Sequence, residues 1–159
     1  MSENRIRRTD SVQPASPGGS GVWVGATDNT PKYNPDGTTR YLSPIVASVP
    51  LEGVLVDKNV WIAPVACELV AAYFVPTVVG AAGTFQIEKC TGTTAPGSGT
   101  ELLGTAFDCT ATINTVQTGS LTAASTANKR FAAGNRVAID VTGTSTSLVG
   151  QLTLLFKQV

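Results

Sequence analysis

The chain has 159 residues, no formal net charge and 14% charged residues, against roughly 25% in an ordinary soluble domain. That length is enough to bury one sizeable core, while a neutral, charge-poor surface gives no electrostatic reason to bind nucleic acid or an anionic membrane. Histidine is absent, which removes the commonest general base and the commonest neutral metal ligand.

Residues 1–42 read as an extended, flexible arm. The start, MSENRIRRTD, is polar and lacks the apolar core of a secretory signal, so the expected setting is the cytosol of the cell that makes the chain. Arg5, Arg7 and Arg8 lie beside Glu3 and Asp10 and read as a solvated tip. SVQPASPGGSG has linker composition, and NTPKYNPDGTTRY is a run of turn signals. Yet Trp23, Tyr33 and Tyr41 fall in this stretch, and disordered tails are usually poor in aromatics. Ordering such an arm costs about 1–2 kcal/mol per residue, and each buried ring returns about 1.5–3 kcal/mol. Trp23, Tyr33 and Tyr41 are therefore the expected anchors of an arm that becomes ordered on a partner.

From 43 to 159 the chain reads as β structure and holds all five phenylalanines. Ser43–Val49 is a first strand whose flanking Pro44 and Pro50 favour a sheet edge. Val54–Val56 and Asn59–Ala63 follow, divided by Asp57-Lys58. The central stretch is Val65–Cys90, VACELVAAYFVPTVVGAAGTFQIEKC. It reads as two apolar strands joined by a Gly/Ala turn, a core hairpin. In the first strand Leu69, Ala71, Tyr73 and Val75 share one face, and Val70, Ala72 and Phe74 share the other. A strand apolar on both faces is covered on both. Val70, Ala72 and Phe74 are thus the expected subunit contact, where an acidic residue at 74 should dissociate an oligomer without unfolding it.

The loop Thr91–Thr100 has no apolar anchor and is expected to be exposed. Shorter strands follow at Leu102–Cys109, Thr112–Gln117, Gly119–Thr122, Lys129–Ala132, Arg136–Val141 and Leu148–Val159, with room for one helical turn at Ala123–Asn128. Val137, Ile139 and Val141 point inward, as do Leu152, Leu154 and Phe156, leaving Leu155 on the other face. Many short strands with Gly/Ser/Thr turns define an all-β chain, and about eight strands suit a jelly-roll-like β-sandwich.

No catalytic or metal-binding pattern stands out. Cys67, Cys90 and Cys109 are odd in number, and gaps of 22 and 18 residues match no zinc spacing. They read as buried, reduced thiols. The sandwich acids are scattered, with Glu68, Glu88 and Asp140 at outward positions that read as solubility groups. No lysine is paired with a serine by a local motif. The glycine clusters do not open helices, so they are not phosphate cradles. The chain reads as a non-enzyme without a cofactor.

From about Val65 onward the chain resembles small β-sandwich virion proteins of tailed bacteriophages, the capsid decoration or cement proteins and head-fibre bases. The resemblance lies in an order of features: ELVAAYFVPTVVGAAGT, TFQIEKC, GTTAPGSGTELL, INTVQTGSLT, then RFAAGNRVAIDVTGTST and QLTLLFKQV. It implies a structural virion protein on the outer capsid surface, assembled in the host cytoplasm. It also implies binding to the major capsid protein and self-association, as a homotrimer in preference to a dimer. A different reading of the Ser/Thr/Gly loops is a carbohydrate-binding or fibre module for host surface glycans.

Overall fold

The computed structural model describes residues 44–122 and 126–159, together with the backbone of three short strands before them. The chain divides into two compact units, one of residues 1–44 with 158–159 and one of residues 45–157.

In the first unit, β1 (Val22–Val24), β2 (Pro31–Tyr33) and β3 (Arg40–Tyr41) form an antiparallel sheet in that order. These three short strands lie within the stretch that the sequence reads as an extended arm. Its turn signals, Asn-Pro-Asp-Gly among them, fall between strands too short to show a two-residue period. Register places Trp23 opposite Lys32 and Lys32 opposite Tyr41, so two of the expected anchors share one row. Tyr33 lies in the adjacent row, opposite Val22 and Arg40. The side chains of Trp23, Tyr33 and Tyr41 lie outside the described part of the structure.

The second unit is a sandwich of two antiparallel sheets. One contains β4 (Ile45–Gly53), β6 (Cys67–Val78), β10 (Gln117–Thr118), β11 (Arg130–Phe131) and β13 (Leu148–Gln158). The other contains β5 (Lys58–Ile62), β7 (Thr84–Cys90), β8 (Thr100–Glu101), β9 (Phe107–Asp108) and β12 (Arg136–Thr142). A single helical turn, α1 (Thr126–Lys129), precedes β11. The strand orders are β4-β13-β6-β10 and β5-β12-β7-β8. Strands β4 to β7 alternate between the sheets, and the last two long strands, β12 and β13, insert between earlier ones, β12 between β5 and β7 and β13 between β4 and β6. This is the double Greek key of a jelly roll.

The topology corrects the central hairpin. β6 and β7 do not pair; they lie in opposite sheets, and the link Val79–Gly83 carries the chain across the sandwich. Alternating apolar residues satisfy a facing sheet as well as a neighbouring strand, and only the pairing of β12 with β7 and of β13 with β6 decides between them. The Phe74 and Phe85 rings meet edge-on across the core with centroids 4.9 Å apart, and Phe107 lies 5.9 and 5.3 Å from them. A second aromatic group holds the other end: Trp61 stacks on Phe156 at 4.2 Å, with Phe131 edge-on to Phe156 at 5.6 Å. Val137, Ile139, Leu152, Leu154 and Phe156 are buried as expected, and β4 is an edge strand.

Two glycines make this packing possible. A methyl group on Gly150 would lie 2.6 Å from Phe74 Cε2 and 2.8 Å from the Val75 carbonyl oxygen. On Gly119 it would lie 2.8 Å from Leu103 Cδ2 and 3.0 Å from Phe107 Cζ.

Candidate functional site

The expected subunit contact does not survive as a group. Cys67 and Leu69 are buried at the start of β6, and Ala72, Phe74 and Pro76 are buried further along. The burial phase slips by one residue between Leu69 and Ala72, as a β-bulge produces. Ala72 and Phe74 therefore face the intersheet core, both fully buried, and cannot form an outer contact. Val70 alone of the three is exposed, with Tyr73 further along the strand. On the neighbouring strands Val46 is exposed and lies opposite the half-buried Leu155.

The outer face of the second sheet carries the most organised polar group. β7 and β12 place Gln86 opposite Asp140, Glu88 opposite Ala138, and Cys90 opposite Arg136. The loop after β7 folds over this face. Glu88, read from sequence as a solubility group, is buried: one carboxylate oxygen accepts from Gly97 N at 2.6 Å and the other from Gly99 N at 2.6 Å. Cys90 Sγ donates to Glu88 Oε1 at 3.5 Å. Arg136 donates to the carbonyl oxygens of Gly92 and Thr94 at 3.0 and 2.7 Å. One carboxylate and one guanidinium thus fix an exposed loop that lacks an apolar anchor. Each charge-assisted bond of this kind is worth about 1.5–3 kcal/mol.

The glycines of this loop follow from the carboxylates beneath it. Gly97 has φ of +81°, and a methyl group there would lie 2.7 Å from Asp57 Oδ2; on Gly99 it would lie 2.8 Å from Glu88 Oε2. The available sequence signal was Glu88 followed by the Gly-Ser-Gly triplet, but a carboxylate nine residues upstream does not announce its partner. Asp140 lies in the same acidic neighbourhood. Desolvation, followed by the charges of Asp57, Glu88 and Glu101, pushes its pKa up.

Two further charged groups also hold backbone or one another. Glu68 lies outside the core on β6 yet is buried, with Arg130 Nε at 3.4 Å and Lys157 Nζ at 3.3 Å. Lys89 Nζ donates to the carbonyl oxygens of Ala127 and Arg130 at 3.0 and 3.2 Å, tying α1 and β11 to β7. Partial burial pushes its pKa down. Cys67, Cys90 and Cys109 are free, buried thiols, with pKa values pushed up to about 11, chiefly by desolvation.

Comparison of the chain with protein-family models, curated proteins and solved structures gave no match.

Proposed function

We propose that this protein is a structural virion component, a capsid decoration protein that binds the outer surface of a phage head and stabilises it by bridging neighbouring major capsid proteins. The observation that carries this reading is the use made of the polar groups of the sandwich. Glu88 and Arg136 bind the backbone of the loop after β7, Lys89 binds the backbone at Ala127 and Arg130, and Glu68 pairs with Arg130 and Lys157, so these polar groups tie exposed segments to the sandwich. A stiff module with little charge suits a part that adds contacts to an assembly, because surfaces that are already ordered lose less entropy on docking. The jelly roll is compatible with this role but does not select it, since capsid, lectin and enzyme domains share it. The order of features read in the sequence from Val65 onward is the reason for preferring the decoration role among these.

In this reading the unit of residues 1–44, with Trp23, Tyr33 and Tyr41, contacts the major capsid protein, and the sandwich self-associates, with a homotrimer expected before a dimer. The test is made on virions of the phage that encodes the chain. The protein should be found on the particles, accessible to antibody on intact heads, and particles lacking it should lose DNA at lower temperature. Its absence from purified virions would overturn the reading.

One observation favours the second reading, recognition of host glycans by a fibre module. The loop from Thr91 to Thr100 presents several hydroxyl side chains on a backbone fixed by Glu88 and Arg136. Specific glycan-array binding that is lost in Glu88→Gln, together with absence from the capsid surface, would favour it.

A further inference from the structure

Two side chains hold the loop that joins β7 to β8, and they hold different halves of it. Arg136 donates to the carbonyl oxygens of Gly92 and Thr94 at 3.0 and 2.7 Å and fixes the first half. Glu88 accepts from Gly97 N and Gly99 N at 2.6 Å each and fixes the second. The bond from Ser98 N to the Ala95 carbonyl, at 3.2 Å, is internal to the loop and does not tie it to the sheet. A guanidinium keeps its protons throughout the range in which proteins fold. A carboxylate does not. Once protonated, it carries an O–H on one oxygen, and the backbone N–H facing that oxygen loses a charged acceptor. The second half of the loop is therefore held by a titratable group, and the first half is not.

The groups around Glu88 favour proton uptake. Glu101 on β8 is its cross-strand partner, and Asp140 on β12 lies one row along, opposite Gln86. Asp57, just before β5, accepts from Val141 N at 2.8 Å. A methyl group on Gly97 would lie 2.7 Å from Asp57 Oδ2 and 3.9 Å from Asp140 Oδ1, so both carboxylates sit beneath the strap. The cations of these elements are engaged elsewhere. Arg136 is bound to the loop carbonyls, and Lys89 is tied to Ala127 and Arg130. Lys58 on β5 is in register with Ile139, which points into the core. The loop itself, TGTTAPGSG at 91–99, brings no ionisable side chain. Desolvation, followed by the charges of Asp57, Glu88 and Glu101, pushes the Asp140 pKa up, as expected of clustered carboxylates short of counter-charge. The remaining group is Cys90. Its Sγ lies 3.5 Å from Glu88 Oε1 and 3.8 Å from the Ala95 carbonyl oxygen, under the loop.

We infer that the second half of this loop, residues 95–99, is an acid-released strap over Cys90. With Glu88 ionised, Gly97 and Gly99 are held and the thiol is covered. Proton uptake by Glu88 ends one or both of these bonds. The strap then detaches, while Arg136 keeps Gly92 and Thr94 in place. The sign follows from which form makes the bonds. Stability that comes from an ionised carboxylate is present at neutral pH and is lost as the pH falls. A proton on Asp140 acts in the opposite sense, because it relieves repulsion within the cluster. The aromatic and aliphatic contacts between the sheets do not titrate, so the sandwich outlasts the strap. The chain thus presents a fixed loop at neutral pH and, in acid, a loosened one with an accessible thiol beneath it. The inference concerns the loop alone and rests on neither functional reading.

The test uses the full chain and dithiodipyridine, a thiol reagent that reacts in acid as well as at neutral pH. Near neutral pH no thiol of the native chain should react, since all three are buried. At about pH 4, within the ordinary carboxylate range, Cys90 alone should react, with Cys67 and Cys109 protected and the far-UV circular dichroism unchanged. Relative to a free cysteine at the same pH, the Cys90 rate should rise about ten- to a hundredfold between the two conditions, the factor set by losing one charge-assisted bond. Glu88→Gln should expose Cys90 equally at both pH values. A second measurement needs no variant: the amide proton shifts of Gly97 and Gly99 should move together as the pH falls, while that of Leu102, bonded to the Ile87 carbonyl, stays constant. Protection of Cys90 at both pH values would overturn the inference, as would constant shifts at Gly97 and Gly99. So would reaction of all three thiols together with loss of the circular dichroism signal, which would make the acid response an unfolding of the sandwich.

Discussion

Glu88 is fully buried on the outer face of its sheet because both carboxylate oxygens are occupied by backbone N–H groups of one loop. Removing one partner from such a group costs more than the bond was worth, since the other partners are left unsatisfied. Glu88→Gln keeps the shape but removes the charge. It should destabilise the fold by about 1–3 kcal/mol and speed hydrogen exchange at Gly97 and Gly99 before it affects the core; unchanged exchange at both amides would remove the anchoring role. Gly150 is the apolar counterpart. Its missing methyl group leaves room for the Phe74 ring and the Val75 carbonyl. Gly150→Ala should cost about 1–3 kcal/mol in denaturant unfolding, because a backbone oxygen cannot rotate away.

Titration adds a residue-scale expectation. The three thiols have pKa values raised from 9.0 to about 11 in the folded chain. As pH rises from 9 towards 11 the unfolded chain loses these protons while the folded chain keeps them, so stability falls with pH in that window. Alkylation at neutral pH should therefore proceed only after unfolding, and a fast reaction of the native protein with a thiol reagent would contradict the burial of all three. Asp140 has the same sign at lower pH: its raised pKa means that ionisation costs the folded state more than the unfolded one. Acidification through that pKa removes the penalty. Asp140→Asn should accordingly stabilise the protein at neutral pH and lose that gain in acid, as measured by thermal melts across pH.

At the scale of elements, β6 decides most. Its residues are apolar on both faces, so the sequence permits either phase, and the slip between Leu69 and Ala72 selects which residues enter the core. Phe74 touches Phe85 and Phe107 across the sandwich. Phe74→Asp should abolish folding rather than dissociate an oligomer, whereas Val70→Asp should leave the fold intact; circular dichroism of the two variants separates these outcomes. The β6–β7 link is equally constrained. Gly83 has φ of +100°, and a methyl group there would lie 2.9 Å from the Thr142 carbonyl oxygen. In the sequence this glycine looked like part of a hairpin turn. In the structure it lets two links of one end pass in contact.

At the scale of the molecule, the long strands pair far along the chain. β4 and β13 join Gly53 to Leu148 and Ile45 to Phe156, so the first sheet closes only when both ends of the sandwich sequence are present. Closing such long loops precedes the contacts that offset their entropy. Refolding should take milliseconds to seconds, and a microsecond refolding phase carrying the full fluorescence change would contradict this order. The same topology gathers four links at one end: β4–β5, β6–β7, β9–β10 and β12–β13. Each is an ordinary turn when read alone, and no local pattern shows that four of them meet.

By itself the sequence determined the all-β class, the inward residues of β12 and β13, the edge position of β4 and the burial of the thiols. Each follows from a local property: side-chain period, proline's missing donor or the polarity of sulfur. Only the tertiary structure decided that β6 and β7 face each other instead of pairing, that Ala72 and Phe74 lie inside, and that Glu88 holds a loop. Those outcomes depend on which distant strand occupies the neighbouring position, and a period of two residues is the same whether the apolar face meets a strand beside it or a sheet across the core.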